Sequence, residues 1–378
     1  FESINGESLD VSIRVEMDSK VLYEWSGTTD EGCLSFSSNS DEGKITVYTV
    51  VEDGVESETT LHTWPLKNAF IPGMIIFSIG TLIVAYLETI IRVLIKKKIE
   101  KIDFISAIPY TFNDIITNID NQEKQKVYGK LIIPKDSIDY GKKYPLVIGV
   151  AGSLGWAEHH YKYLKMYQEM GIATFELNSF KSRGITSTVG TQNEITMAAM
   201  IFDAYKALEE LSKHPNIDQN RVSITGWSLG GGVTLFSAWL PLKEAINKEL
   251  SFASHLAFYP PCFINPDNTN FSNSPIHILI GELDDWTPSG PCHDLVKKLK
   301  NKSNINLTVY KNSYHSFDRE SPVTRNESAY NFSDCIFRLD EKVNVLMNYF
   351  NIPMSNPFLQ KIGFIMCVSR GVFIGGNS

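Results

Sequence analysis

The chain has 378 residues, enough for two or three domains at roughly 150 residues each. With 43% hydrophobic and 21% charged residues it is neither a disordered chain nor a polytopic membrane protein. A formal charge of −8 excludes a nucleic-acid binder that relies on overall positive charge, and five scattered cysteines without a CxxC exclude a zinc ribbon or a dense disulfide scaffold.

The chain begins on Phe1 with a polar, acidic stretch that has no apolar signal core, so a native start and any targeting signal are expected upstream. Residues 1–68 read as a small all-β module. Val11, Ile13, Val15 and Met17 alternate with polar residues, Val21, Tyr23 and Trp25 do the same, and further short runs follow at 33–37, 44–51 and 56–63. Such short strands between Gly-containing turns predict a small antiparallel sandwich. No chemistry and no ligand can be read in it.

Residues 69–94 read as a transmembrane helix. Ala69 to Leu87 carries no charge, and as a helix it covers about 28 Å, close to the thickness of a bilayer core. Arg92, Lys96, Lys97, Lys98 and Lys101 follow it while only Lys67 lies just before. The positive-inside rule therefore predicts a single-pass protein with the β-module outside and the C-terminal part in the cytoplasm. Residues 95–125 read as a mixed connector.

From 126 to 378 strands and helices alternate. KVYGKLIIP, YPLVIGVAG, IATFELN, RVSITG, HLAFYP, IHILIG and NLTVY are apolar runs of strand length, and helices are expected near 157–170, 192–213 and 290–300. Continuous apolar strands belong to a mostly parallel, doubly wound sheet covered on both faces. In the 192–213 helix Met197, Ile201, Ala204, Leu208 and Leu211 form one stripe.

The strongest chemical signal is Gly226-Trp227-Ser228-Leu229-Gly230, between a strand and a helix. A turn this sharp needs nearly side-chain-free neighbours, and it lifts the Ser228 hydroxyl clear of the sheet. The N–H of Leu229 then faces the site from a helix N-terminus, where it stabilises an oxyanion. A serine nucleophile needs a base and an orienting carboxylate, which in this arrangement follow in the order Ser, acid, His. Of the later histidines, His255 and His277 belong to strands and His293 to a helix, whereas His315 follows a strand end. The acid is Asp284 or Asp285, in the loop after Ile276–Ile280, and spacing does not separate them. The second oxyanion donor is expected at Ser153, in Ala151-Gly152-Ser153-Leu154-Gly155. Trp227 and Trp286 flank the catalytic candidates, as pocket-lining residues or, as a comparable alternative, in ordinary core packing. Cys262 and Cys292 both follow strand ends near the site, and in an exported domain they are candidates for a disulfide. The adjacent His159 and His160 do not have the spacing of helical metal ligands.

Residues 126–378 resemble the dienelactone hydrolase family of α/β-hydrolases. The resemblance rests on Ala151-Gly-Ser-Leu-Gly155, Ser179-Phe-Lys-Ser-Arg-Gly184, Ser187-Thr-Val-Gly190, the elbow, Phe258-Tyr-Pro-Pro-Cys262, Gly281-Glu-Leu-Asp-Asp-Trp-Thr-Pro288 and Tyr314-His-Ser-Phe317. It implies an α/β-hydrolase fold and cleavage of an ester or lactone without metal or cofactor. It favours Asp284 as the acid, Ser153 and Leu229 as oxyanion donors, and places Arg183 near a position that holds a substrate carboxylate, with a structural arginine tying the 179–190 loop as the equal alternative. Prototype members carry a cysteine nucleophile and a glutamate beside the first oxyanion residue, where this chain has Ser228 and Gly152. The family domain also usually ends in a further helix, so truncation at the C-terminus is expected. Together these features predict a membrane-anchored serine hydrolase acting on a small-molecule ester or lactone. The alternatives are an acyl-CoA thioesterase or acyltransferase, and a non-catalytic receptor or scaffold.

Overall fold

A computed structural model describes residues 10–17, 20–28, 43–51, 56–63, 98–134 and 142–376. It divides into two units, residues 1–93 and 94–378.

In the first unit β1 (Asp10–Met17), β2 (Lys20–Thr28), β3 (Gly43–Val51) and β4 (Glu56–Thr63) form one antiparallel sheet in the order β2-β1-β3-β4. Four of the strands read from alternation are present, but a sandwich needs a second sheet, and the described residues of this unit form only one. The run expected at 33–37 and the apolar stretch Ala69–Leu87 lie outside the described residues. Among the described residues no helix is long and apolar enough to cross a membrane.

The second unit is built on an eight-stranded sheet. The chain enters it through β5 (Lys98–Ala107), turns through α1 (Phe112–Thr117), and continues with β6 (Lys124–Ile133) and β7 (Tyr144–Val150). It then follows α2 (Glu158–Glu169), β8 (Ala173–Leu177), α3 (Met197–Leu211) and β9 (Ile217–Trp227). Next come α4 (Leu229–Phe236), α5 (Leu240–Ile246), β10 (His255–Phe258) and the short β11 (Ile264–Pro266). The sheet closes with β12 (Ile276–Gly281), α6 (Ser289–Leu299) and β13 (Ile305–Tyr310). After it run β14 (Thr324–Asn331), β15 (Phe337–Leu339), α7 (Pro357–Ile365) and β16 (Ser369–Ile374).

The strand order is β5-β6-β8-β7-β9-β10-β12-β13. β6 runs antiparallel to β5 and β8, and every pairing from β8 to β13 is parallel. The apolar strands lie where that order requires: β8 is wholly buried and β7 almost so, because helices cover both faces. From β7 the chain steps to β8 on one side and then crosses to β9 on the other, so a crevice opens beyond the carboxyl ends of β7 and β9. Helix α3 starts at Met197 because the Thr196 side chain caps it, accepting from the Ala199 N–H. Ile201, Ala204, Leu208 and Leu211 then face the core as their spacing predicts.

The stretch read as a connector holds the first strand. β5 is an edge strand on which Lys101 and Asp103 pair at 3.7 Å and Asp103 also meets Lys126 at 3.2 Å. Such charges keep an edge from pairing with other chains; the strand's apolar alternation is broken instead by exposed Ile99 and Ile105 and by buried Ser106.

The segment after β13 packs with Phe263 and Trp286 into a second apolar cluster that includes Phe332, Phe337, Met354 and Phe364. Within the segment β14 pairs with β16, and its β15 pairs with β11. Cys335 and Cys367 form a disulfide within it, and a second disulfide joins Cys262 to Cys292. The first pairing had no signal in spacing; the second joins the cysteines that follow the neighbouring strand ends. Each closes a loop of about thirty residues, which corresponds to about 3–4 kcal/mol of lost unfolded-state freedom.

Candidate active site

Strand β9 delivers Ser228 into a turn with φ +56° and ψ −114°, immediately before α4. A side chain held in this region is strained, and the surrounding packing must hold it there. The two flanking glycines are a steric requirement. A Cβ on Gly226 would stand 2.1 Å from the Gly230 carbonyl oxygen, and one on Gly230 would stand 2.2 Å from that of Val150. Leu229 is the first residue of α4, so its N–H lies at the helix start beside Ser228.

Three side chains form a continuous relay. Ser228 Oγ lies 2.9 Å from His315 Nε2, and His315 Nδ1 lies 2.8 Å from Asp284 Oδ2. All three are buried, with His315 only 1% exposed. The Asp284 carboxylate is itself held: its Oδ1 accepts the N–H groups of Trp286 at 3.0 Å and Thr287 at 2.7 Å. The Thr287 hydroxyl stands 3.0 Å from Asp284 Oδ2 and 3.0 Å from the Tyr259 carbonyl oxygen. Asp285 does something else. Its Oδ1 accepts the Phe373 N–H of β16, and burial raises its pKa. His315 is fixed on its backbone side as well, since its carbonyl accepts the Gly375 N–H at 2.9 Å beside a bridge to Ile374.

The loop after β7 runs against the elbow. A Cβ on Gly152 would approach Ser228 Cβ to 3.4 Å, and a bulkier residue would press on Ser228. Ser153 is buried, its carbonyl accepts the Thr188 N–H, and its hydroxyl donates to Gln192 Oε1 at 3.2 Å. Ser153, Leu229 and Ser228 all line one cleft.

The remaining candidates separate. Trp286 lines the cleft, with its ring 4.9 Å from that of His315. Trp227 is buried and stacks on Phe258 and His160, while its Nε1 donates to Asp318. It reaches only a second, smaller opening that also holds His315, His160 and Arg319. Arg183 lines neither. Its two terminal nitrogens meet the Asp203 carboxylate at 2.7 and 3.0 Å and also bond the carbonyls of Ser179 and Ala107. Its charge is committed to a buried ion pair, so the expectation that it holds a substrate carboxylate is corrected. The reason is local: Asp203 of α3 is wholly buried and needs a partner.

Three features of the site were not singled out in the sequence. Thr287 bridges acid and backbone, and only its position three residues after Asp284 hinted at a turn role. Tyr259 packs on His315 with ring centroids 4.6 Å apart and donates to Asp318. The aromatic residues beyond Phe332 wall the cleft from a distant part of the chain. Nearby His159 is held neutral, its pKa lowered to about 3 by burial and then by Arg319. Burial also lowers that of His160.

Residues 166–333 match the family described as "Dienelactone hydrolase family", and that span contains Ser228, Asp284 and His315. No curated protein matches the chain. Among solved structures, one assigned as a dienelactone hydrolase of Klebsiella pneumoniae is 19% identical, with a TM-score of 0.41, over 58% of this chain and 88% of its own. Est1E from Butyrivibrio proteoclasticus is 16% identical, with a TM-score of 0.38, over 50% and 86%. The esterase Pf2001 of Pyrococcus furiosus is 17% identical, with a TM-score of 0.40, over 60% and 87%.

Proposed function

We propose that the α/β unit, matched to the dienelactone hydrolase family, is a carboxylic ester hydrolase that uses Ser228 as nucleophile. The observation that carries the reading is the unbroken chain of short contacts from Ser228 through His315 to Asp284. His315 Nε2 takes the hydroxyl proton as Ser228 Oγ attacks the ester carbonyl, and Asp284 stabilises the imidazolium that forms. The N–H groups of Leu229 and Ser153 receive the oxyanion. Collapse of the tetrahedral intermediate breaks the C–O bond to the alcohol, which leaves with the proton from His315. Water, deprotonated by the same imidazole, then releases the acid from the acyl-enzyme and regenerates Ser228. Nothing in this cycle calls for a metal or cofactor.

The test is turnover of p-nitrophenyl acetate by wild type and Ser228→Ala. A loss of at least about 10³-fold is expected, the residual rate coming from binding and the oxyanion donors alone. Undiminished turnover in Ser228→Ala would overturn the reading.

Membrane attachment through residues 69–87 accompanies this proposal on the composition of that run. The cations after it assign the α/β unit to the cytoplasmic side. The two disulfides of that unit weigh the other way, because such bonds persist in oxidising compartments. Protease accessibility of the unit in sealed membranes separates the two: protection follows from the cation rule, cleavage from the disulfides.

A further inference from the structure

Two openings reach Ser228, and they differ in chemistry. The larger is lined by Ser228, Leu229 and Ser153 but not by His315. Beyond those three its walls include Met197, Phe263, Phe332, Phe337, Met354 and Phe364, with the uncharged polar side chains of Gln192 and Gln360 among them. Among the described residues no Lys, Arg, His, Asp or Glu lines it. The smaller opening holds His315 together with His160, Arg319 and the glycines of the 152–155 loop.

This division orients an ester. The departing alcohol must receive its proton from His315 Nε2, so it belongs on the side where His315 lines the opening. The carbonyl oxygen points to Leu229 and Ser153. The acyl chain is left with the larger cleft. We propose, resting on the serine hydrolase reading, that this cleft is an acyl pocket selective for an uncharged, apolar acyl group of about six carbons or a single aromatic ring.

Size and charge both follow from the walls. The cleft has a cavity volume of about 140 Å³, close to the roughly 150 Å³ of an apolar cavity that admits benzene. Each methylene buried in it raises kcat/KM by about fourfold if fully desolvated. A carboxylate at the end of the acyl chain would be buried without a cation, which is strongly unfavourable, and Arg183 is already committed to Asp203.

The selective wall belongs to this chain's own C-terminal segment. Phe337, Val345, Met354 and Phe364 lie beyond the residues matched to the family. The segment is stapled by Cys335–Cys367 and joined to the body where the Tyr110 hydroxyl reaches Gln360, which donates in turn to the Gln192 carbonyl. Acyl specificity is thereby separated from the relay.

The experiment compares p-nitrophenyl acetate, butyrate, hexanoate and decanoate with mono-p-nitrophenyl adipate, a six-carbon acyl group ending in a carboxylate. It adds acetates of longer alcohols, and labels the enzyme in parallel with a fluorophosphonate probe. Hexanoate is expected to exceed acetate by about 30-fold or more in kcat/KM, decanoate to fall below hexanoate, and adipate to fall at least about 100-fold below it. Val345→Phe, which fills the cleft, is expected to lower the hexanoate-to-acetate ratio at least about tenfold. Phe364→Ala, which widens it, is expected to raise the decanoate-to-hexanoate ratio. A flat acyl series, a preference that follows the alcohol instead, or efficient adipate turnover, with Ser228 still labelled, overturns the pocket assignment and leaves the hydrolase reading standing. Absence of labelling at Ser228 overturns the hydrolase reading itself.

Discussion

Asp284 and His315 meet at 2.8 Å across a separation of 31 residues, on two loops that follow the adjacent parallel strands β12 and β13. The sheet makes that meeting possible. Parallel pairing puts both carboxyl ends at the same edge, so a carboxylate after one strand and an imidazole after the next are neighbours in space. Gly281 completes the approach: a Cβ there would stand 2.3 Å from the Ser313 carbonyl oxygen.

The two adjacent aspartates should differ sharply. Asp284→Asn is expected to lower kcat for an ester by about 10⁴, because an amide no longer holds the imidazole in the reactive tautomer. Asp285→Asn should cost less than about tenfold, since that side chain accepts the Phe373 N–H. Steady-state kinetics on the two purified variants checks this. Equal losses would contradict the assignment.

Arg183 should behave as a structural residue. Arg183→Met leaves Asp203 buried and unpaired, and the expected loss of stability is about 3–5 kcal/mol in urea unfolding. The double change Arg183→Met with Asp203→Leu should recover much of it, with KM near wild type in the folded enzyme. A rise in KM for anionic substrates at unchanged stability would return Arg183 to the binding site.

Stability should fall in mild acid. His255 is buried and its folded pKa is lowered from 6.5 to about 4 by desolvation. Between those values the unfolded chain binds a proton that the folded chain does not, so stability is lost as pH falls from about 6.5 toward 4. At pH 5 this one group accounts for about 2 kcal/mol, and His159 acts in the same direction. Tm measured from pH 7.5 to pH 5 should drop, and His255→Leu should flatten the drop. A Tm rising toward acid would contradict the burial argument.

The disulfide in the C-terminal segment should couple stability to specificity. Cys335→Ser is expected to cost about 3–4 kcal/mol and to reduce the preference for hexanoate over acetate more than it reduces acetate turnover. Thiol labelling with and without reductant, read by peptide mass, should find Cys262, Cys292, Cys335 and Cys367 blocked until reduction.

Legibility in the sequence followed the locality of each constraint. Ser228 could be read because its turn imposes glycine at fixed offsets, and His315 because it alone of the later histidines follows a strand end. Asp284 and Asp285 were equivalent by spacing and differ only through what surrounds them, His315 on one side and β16 on the other. β5 was missed because exposed Ile99 and Ile105 and buried Ser106 break its alternation. Arg183 kept two roles, substrate anchor and loop tie, because a motif position shows the residue but not its partner, and Asp203 lies twenty residues away in a helix. The apolar cleft was invisible for a similar reason. Phe263, Phe332, Phe337 and Phe364 come together from separate elements with no shared period, and only folding makes them one surface.

The central claim is that Ser228 is the activated nucleophile. Native protein treated with a fluorophosphonate probe and mapped by peptide mass should carry one adduct per chain, on the peptide containing Ser228. The adduct should disappear in Ser228→Ala and after heat denaturation. An adduct on another residue, or labelling that persists in Ser228→Ala, would contradict the account.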